Sequence, residues 1–135
     1  DKGVWTEQTK LKFYGMSETE NKTSVGGSFI DNHNSVWYES DKANAIEIET
    51  ISLSELILEK KEKYDTIVIK MDIESSEYEV LQSLISNDTI KHVKHFFVEF
   101  HGEYFSDNQK SKYIQLEHDL VSTIRSKDIG LTKWI

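Results

Sequence analysis

The sequence predicts an α/β fold built on a mostly parallel, doubly wound sheet. Two short apolar segments, TIVIK at residues 66–70 and HFFVEF at residues 95–100, are each followed by apolar residues at helical spacing. Strands that alternate with helices in this way are typical of a parallel sheet, because the helices provide the crossover connections. A length of 135 residues leaves room for one domain.

The first third of the chain predicts two strands separated by a long excursion. Residues 10–15, KLKFYG, alternate briefly and are typical of an edge or hairpin strand. Residues 17–45 combine turn-forming residues with aromatics, which predicts a variable loop or a hairpin rather than a linker. Loops of this length inside compact domains are often functional. Residues 46–50, IEIET, alternate apolar and acidic side chains, as expected of a half-buried strand.

Two capping boxes predict where helices begin. Ser52 stands three residues before Glu55 and opens a helix over residues 53–63. Ser76 and Glu79 have the same spacing, and they open the helix that follows the first apolar strand.

The remaining segments complete the alternation of strands and helices. Residues 66–70 are β-branched and apolar on both faces, which predicts a strand in the middle of a parallel sheet. The strand at 95–100 precedes a long amphipathic helix marked by Tyr113, Leu116, Leu120, Val121 and Ile124. Gly130 ends that unit, and residues 131–135 begin a further strand.

The composition excludes several classes of function. A net charge of −8 argues against partners such as nucleic acid or an anionic membrane, because both bind clustered Lys and Arg. No apolar run is long enough to span a membrane. The chain has no cysteine and no signal-peptide pattern, which predicts a cytoplasmic protein without disulfides or thiolate chemistry. Its six glycines form neither a phosphate-binding loop nor a dinucleotide fingerprint.

Acidic side chains and a histidine follow the two apolar strands. Asp72 and Glu74 come after the first strand, and Glu99 and His101 stand at the end of the second. Ligands of open parallel sheets bind beyond the carboxyl ends of the strands. We therefore expect these four side chains to converge at one edge of the sheet, where they could hold a cation or serve as a general base.

Each of these residues also has a structural interpretation. Glu74 and Glu77 lie at the start of a helix, where acidic side chains complement the helix dipole without any function. His101 could be a loop histidine whose hydrogen bonds are satisfied. Asp72 is harder to explain structurally, because a carboxylate directly after a buried strand costs desolvation. The other histidines share no metal-ligand spacing and receive no role: His33, His92, His95 and His118.

Residues 64–81, YDTIVIKMDIESSEYEVL, strongly resemble the signature of FkbM-type methyltransferases. The matching positions are Lys70, Asp72, Glu74, Glu77, Val80 and Leu81. The upstream ISLSEL resembles the helix lead-in of that family, and the downstream FFVEFHG resembles its next strand, with Glu99 and His101 in place. The resemblance spans about residues 46–102.

Two departures from the family pattern stand out. Ser75 replaces the family's glycine, which puts close ligand packing in question. Nothing in residues 1–45 matches the glycine-rich loop that holds the methionine part of the cofactor in related methyltransferases. The chain also begins at Asp1 rather than Met. We therefore expect residues 1–135 to be the C-terminal portion of one Rossmann-like methyltransferase domain, incomplete in this chain and inactive alone.

The resemblance implies S-adenosylmethionine-dependent methyl transfer to a hydroxyl of a glycan or small metabolite. The candidate catalytic residues are Lys70, Asp72, Glu74, Glu99 and His101. His101, Glu99 or Asp72 would be the base, and Lys70 would pair with Glu74 or Glu99.

Several questions stay open at the level of sequence. The oxygen-rich set of Asp72, Glu74 and Glu99 would suit Mg²⁺, but we assign no metal site. The cofactor-binding residues, the acceptor and the oligomeric state are likewise unassigned. The alternative to an enzyme is a non-catalytic module for assembly or recognition, with the aromatic segment at 29–38 as its contact surface.

Overall fold

The computed structural model describes residues 2–16, 27–33 and 40–134. Residues 17–26 and 34–39, which make up most of the expected excursion, lie outside this described part. The described elements, in chain order, are strands β1 (Gly3–Trp5), β2 (Lys10–Met16) and β3 (Ser40–Ser52), helix α1 (Leu53–Lys61), strand β4 (Val68–Met71), helix α2 (Glu77–Ser86), a 3-10 turn (Thr89–His92), strand β5 (His95–Val98), a second 3-10 turn (Gly102–Tyr104), helix α3 (Asp107–Ser126) and strand β6 (Gly130–Lys133).

The described strands form two three-stranded sheets rather than one. In the first, β3 lies between β1, to which it is parallel, and β2, to which it is antiparallel. Strands β2 and β3 confirm the predictions at 10–15 and 46–50, whereas β1 was not predicted because three residues carry no periodicity. The antiparallel pairing means that the excursion joins two strands of a hairpin.

The second sheet has the order β4-β5-β6 and is parallel throughout. Val68 pairs with His95 and Met71 with Val98, so β4 and β5 are neighbours in register. Helices α2 and α3 form the two crossovers. This confirms the predicted alternation of parallel strands and helices.

One face of the parallel sheet packs against the helices, while the other is at least partly exposed. The buried face carries Phe96, Val98 and Leu131, and the opposite face carries Val68, which is 54% exposed, and Lys70. Both crossovers step in the same direction along the sheet, and right-handed crossovers of that kind place both helices on one face. The expectation that residues 66–70 lie in the middle of a doubly wound sheet is therefore wrong for the described elements, where β4 is an edge strand.

A single apolar core lies between the buried sheet face and the helices. Its helical members come from all three helices and comprise Leu53, Ile57, Tyr78, Val80, Leu81, Leu84, Leu120, Val121 and Ile124. Helix α2 contacts both α1 and α3. In the described part of the chain, no helix is long and apolar enough to cross a membrane.

The two predicted capping boxes have different outcomes. Ser52 is extended, and its hydroxyl accepts a hydrogen bond from the Glu55 N–H at 3.3 Å, which confirms the cap of α1. Ser76 already has helical dihedral angles and its side chain caps nothing. An N-cap needs an extended backbone to direct its oxygen at the first free N–H groups, so the expected Ser76–Glu79 box is wrong.

Candidate active site

The carboxyl ends of β4 and β5 place Asp72 and Glu99 at the same edge of the sheet. Asp72 directly follows Met71, the last residue of β4, and the Glu99 N–H donates to the Met71 carbonyl at 2.9 Å. Parallel pairing of the two strands produces this arrangement. The expectation that the two carboxylates follow neighbouring parallel strands at one edge is confirmed.

His101 lies at the centre of this edge and is only 4% exposed. Its Nε2 lies 3.6 Å from a Glu74 carboxylate oxygen, 3.8 Å from Asp72 and 3.9 Å from Glu99. The structure therefore brings together four of the five residues expected from the sequence.

Glu77 holds His101 from the other side of the imidazole ring. It is the first residue of α2 and is fully buried. One of its carboxylate oxygens accepts the His101 backbone N–H at 2.7 Å and lies 3.2 Å from Nδ1. The other oxygen has no hydrogen-bond partner in the described structure. Dipole complementation alone does not explain a carboxylate in this position, so Glu77 belongs to the site.

His33 is a member of the site for which no role was predicted from the sequence. It is fully buried, and its Nε2 lies 3.0 Å from the Glu74 carboxylate. Its Nδ1 forms a hydrogen bond with the Ser75 hydroxyl, and its ring stacks on Tyr104 at 5.0 Å. The residue lies about 40 positions before its partners and shares no spacing with them. The only available sequence signal was its place in a long excursion of a kind that is often functional.

The turn that carries Glu74 and Ser75 has left-handed backbone angles. The φ values are 52° at Glu74 and 73° at Ser75, a region that costs a residue with a side chain about 1–2 kcal/mol. Ser75, which stands where the FkbM-type pattern has glycine, thus adopts a backbone conformation that glycine favours. Its hydroxyl also donates to the His101 carbonyl at 3.4 Å, and Ser28 donates to the Glu74 carbonyl. Such strain persists where surrounding contacts fix it, commonly at functional sites.

The ionisation of the cluster follows from these contacts. The hydrogen bond from His33 lowers the pKa of Glu74 below its ordinary value, outweighing the effect of burial, and His101 lowers it further. Burial alone would lower the pKa of His101, but its hydrogen bond to Glu77 and the charges of Glu77, Glu74 and Glu99 together raise it. Glu74 is therefore a carboxylate at neutral pH. The acidic neighbours of His101 favour the protonated form of its imidazole.

Lys70 does not join the cluster. It lies within β4 on the exposed face of the sheet, and its ammonium sits 4.8 Å from the centre of the Trp134 ring. It forms no ion pair with Glu74 or Glu99 in the described structure, so the suggested pairing is wrong. Its position inside the strand, paired with Phe97, keeps it away from the strand end.

A groove of about 660 Å³ adjoins the cluster and falls within the usual size range of small-molecule sites. Asp72 and Glu74 form one border, and most of the rest comes from the first sheet and from residues 27–29 of the excursion. The apolar lining residues are Val4, Phe13, Phe29, Ile46, Ile48 and Ile73. Phe29 packs edge-on against Phe13 and Trp5, so this member of the expected aromatic contact surface faces inward.

Comparison with known proteins gives one family. The sequence model described as the methyltransferase FkbM domain matches residues 5–127, which is most of the chain. No curated protein and no solved structure shows a significant match.

Proposed function

Because the chain belongs to the FkbM methyltransferase domain family, we propose that it serves S-adenosylmethionine-dependent methyl transfer to a hydroxyl of a glycan or small metabolite. The observation that carries the proposal is the cluster in which Asp72, Glu74 and Glu99 face His101. A hydroxyl loses its proton when it is methylated, so the site needs a proton acceptor within hydrogen-bond reach.

Glu99 is the proton acceptor in this proposal. Glu77 is fully buried, and Glu74 is tied to His33, so neither is free to receive a proton from an incoming substrate. The Glu99 side chain is 34% exposed and has no hydrogen bond to a described residue. It also stands at the strand end where parallel sheets bind their ligands.

Asp72 orients the acceptor. It borders the groove, its side chain is 41% exposed, and one of its carboxylate oxygens lies 3.8 Å from Nε2 of the buried His101. A carboxylate in this place can accept a hydrogen bond from a sugar or alcohol hydroxyl while the apolar walls cover the rest of the molecule. Methyl transfer is an in-line displacement, so such positioning supplies much of the rate.

The methyl donor places a further requirement on the protein. When bound, S-adenosylmethionine supplies an electrophilic methyl group on a sulfonium centre. The sequence contains no glycine-rich loop after a strand, and β1 leads into β2 through TEQT at residues 6–9. The residues present fit the acceptor side of the reaction rather than the cofactor cradle, so we propose that the 135-residue chain alone binds the cofactor weakly and is inactive alone.

Two measurements test this function. Calorimetric titration of residues 1–135 with S-adenosylmethionine should show no sub-micromolar binding. The protein expressed from its complete reading frame should transfer labelled methyl groups from S-adenosylmethionine to hydroxylated acceptors. Sub-micromolar binding to the short chain would contradict our placement of the cofactor. Cofactor binding by the complete protein without transfer to any hydroxyl acceptor would contradict the function.

One observation favours the second candidate, a non-catalytic module for assembly. The outer face of the parallel sheet is partly exposed, with Val68 and Trp134 54% and 47% accessible. All-parallel sheets usually have both faces covered. If the complete protein neither binds S-adenosylmethionine nor transfers methyl groups, assembly through this face becomes the better explanation.

A further inference from the structure

Three potential ligand atoms converge at the candidate active site. One carboxylate oxygen each from Asp72 and Glu74 and one ring nitrogen of His101 all lie within 4.8 Å of one another. The set combines a residue after β4, a residue in the strained turn and a residue after β5. Acidic groups that cluster by chance are common on protein surfaces, so the convergence alone does not make a site.

The second observation concerns the Nε2 atom of His101. The residue is 4% exposed, and Nε2 has no hydrogen-bond partner in the described structure. The nearest carboxylate oxygens, at 3.6, 3.8 and 3.9 Å, are beyond hydrogen-bond distance. An almost fully buried imidazole therefore directs Nε2 at three carboxylates without a hydrogen bond to any of them.

The two separations measured from Nε2 are compatible with atoms that share a cation. With metal–ligand bonds of about 2.1 Å, adjacent ligands are about 3.0 Å apart and opposite ligands about 4.2 Å. The distances from Nε2 to Asp72 and Glu74 lie between these limits. A cation between the three atoms would give each of them a partner.

The surrounding contacts are those that support metal ligands. Metal-bound histidines usually donate their other ring N–H to a carboxylate, and ligating carboxylates are themselves hydrogen-bonded. Here Nδ1 of His101 lies 3.2 Å from the buried Glu77, and the Glu74 carboxylate lies 3.0 Å from His33. Ser75 in turn hydrogen-bonds to His33. Both inner groups are therefore oriented before any ion arrives.

We propose that Asp72, Glu74 and His101 bind a divalent first-row transition cation, with Mn²⁺ as the probe. Two carboxylates and one imidazole combine the oxygen ligands that Mn²⁺ accepts with a nitrogen ligand that Mg²⁺ and Ca²⁺ use less readily. Glu99, with its oxygen 3.9 Å from Nε2, remains outside the ligand set as a neighbouring base.

The cation has a chemical role if the proposed methyl transfer is correct. It would bind the acceptor oxygen and lower the pKa of the hydroxyl, so that Glu99 removes the proton more easily. This role rests on the proposed function, whereas the metal site itself can be tested without cofactor or acceptor.

The test is a titration of residues 1–135 with Mn²⁺ in chelator-treated buffer, followed by the loss of the free-ion electron paramagnetic resonance signal. We expect one saturable site per chain and ¹⁴N modulation of the bound ion from the imidazole of His101. Zn²⁺ should compete at concentrations below that of Mn²⁺ and Mg²⁺ only in large excess, because Zn²⁺ binds imidazole well and Mg²⁺ gains little from the nitrogen ligand.

Variants locate the site. Asp72→Asn and Glu74→Gln should each weaken Mn²⁺ binding at least about tenfold, and Glu77→Gln about 10–100-fold through loss of the supporting carboxylate. Glu103→Gln is the matched control, because Glu103 is exposed and follows the site by two residues but lies outside the cluster. It should bind Mn²⁺ as the parent does. Circular dichroism confirms that each variant is folded.

Three results would overturn the inference: no saturable site, Mn²⁺ binding by Asp72→Asn that equals the parent's, or a bound ion without ¹⁴N modulation. The last result needs no variant, so it stays decisive even if the substituted proteins fail to fold. Mn²⁺ binding without methyl transfer by the complete protein would reject the proposed function and keep the metal site. Methyl transfer unaffected by chelators, together with no Mn²⁺ binding, would reject only the metal site.

Discussion

The carboxylate of Glu77, fully buried at the start of α2, contacts both the backbone N–H and the Nδ1 atom of His101, at 2.7 and 3.2 Å. This relationship joins the first turn of a helix to a residue three positions after the end of β5. It fixes both the path of the chain at His101 and the orientation of its ring. Glu77 is therefore the residue through which α2 positions His101.

Glu77→Gln removes this charge while keeping the shape of the side chain. We expect the free energy of unfolding to fall by about 1–3 kcal/mol, because hydrogen bonds to a charged group are stronger than neutral ones. The pKa of the His101 imidazole should also fall, since Glu77 is a main cause of its elevation while burial, which opposes it, remains. Urea denaturation and NMR titration in metal-free buffer measure the two effects. An unchanged His101 pKa would contradict the assigned contact.

Asp72→Asn in the complete protein separates function from folding. The side chain stands at the border of the groove and makes no hydrogen bond to a described residue, so the melting temperature should stay close to the parent's. Methyl transfer should fall by about 100-fold or more, as is typical when a catalytic group is lost. Asp65→Asn, an exposed aspartate before β4, is the matched control and should keep full activity. Full activity in Asp72→Asn would make Asp72 a structural residue.

Substitutions at Ser75 and Ser76 test the left-handed turn. Ser75 and Ser76 are both fully buried, but their backbone angles differ. The φ value is 73° at Ser75 and −79° at Ser76. Glycine relieves strain only at the first position, so Ser75→Gly should be about 1 kcal/mol more stable than Ser75→Ala. At Ser76 the order should reverse, because alanine is favoured in a helical conformation. Chemical denaturation of the four variants gives the comparison, and the same order at both positions would exclude the strain.

Gly102→Ala should destabilise the core through Tyr78. A Cβ atom at Gly102 would lie 2.7 Å from the Tyr78 hydroxyl oxygen, closer than such atoms approach one another. Tyr78 is fully buried among the rings of Phe105 and Tyr113, so it cannot move without disturbing them. We expect a loss of about 1–3 kcal/mol, the usual cost of overpacking. In a Tyr78→Phe background the same substitution should cost less, and an equal cost in both backgrounds would rule out this clash.

Much of the fold could be predicted because its elements are encoded locally. Periodicity identified β2, β4, β5 and the long helix α3, and the Ser52–Glu55 spacing gave the start of α1. The rule for parallel strands was enough to bring Asp72 and Glu99 together. These inferences need only neighbouring residues and a general property of sheets.

The rest of the site depends on contacts between distant segments. His33 lies within the excursion and contacts Glu74 and Ser75, and no sequence pattern in either segment predicts that contact. Glu77 looked like any acidic residue at a helix start until the path of His101 became known. The strand order β4-β5-β6, which makes β4 an edge strand among the described elements, likewise depends on how the strands assemble.

Strand β4 has no pairing partner on one side among the described strands, which has a consequence for how the chain behaves at high concentration. An open strand of apolar residues is a template for intermolecular pairing and aggregation, which natural proteins prevent with short edge strands and lysine side chains. Strand β4 has four residues, VIKM, and Lys70 is its only charged one. Lys70 is therefore the residue of β4 that we expect to oppose fibrous self-association.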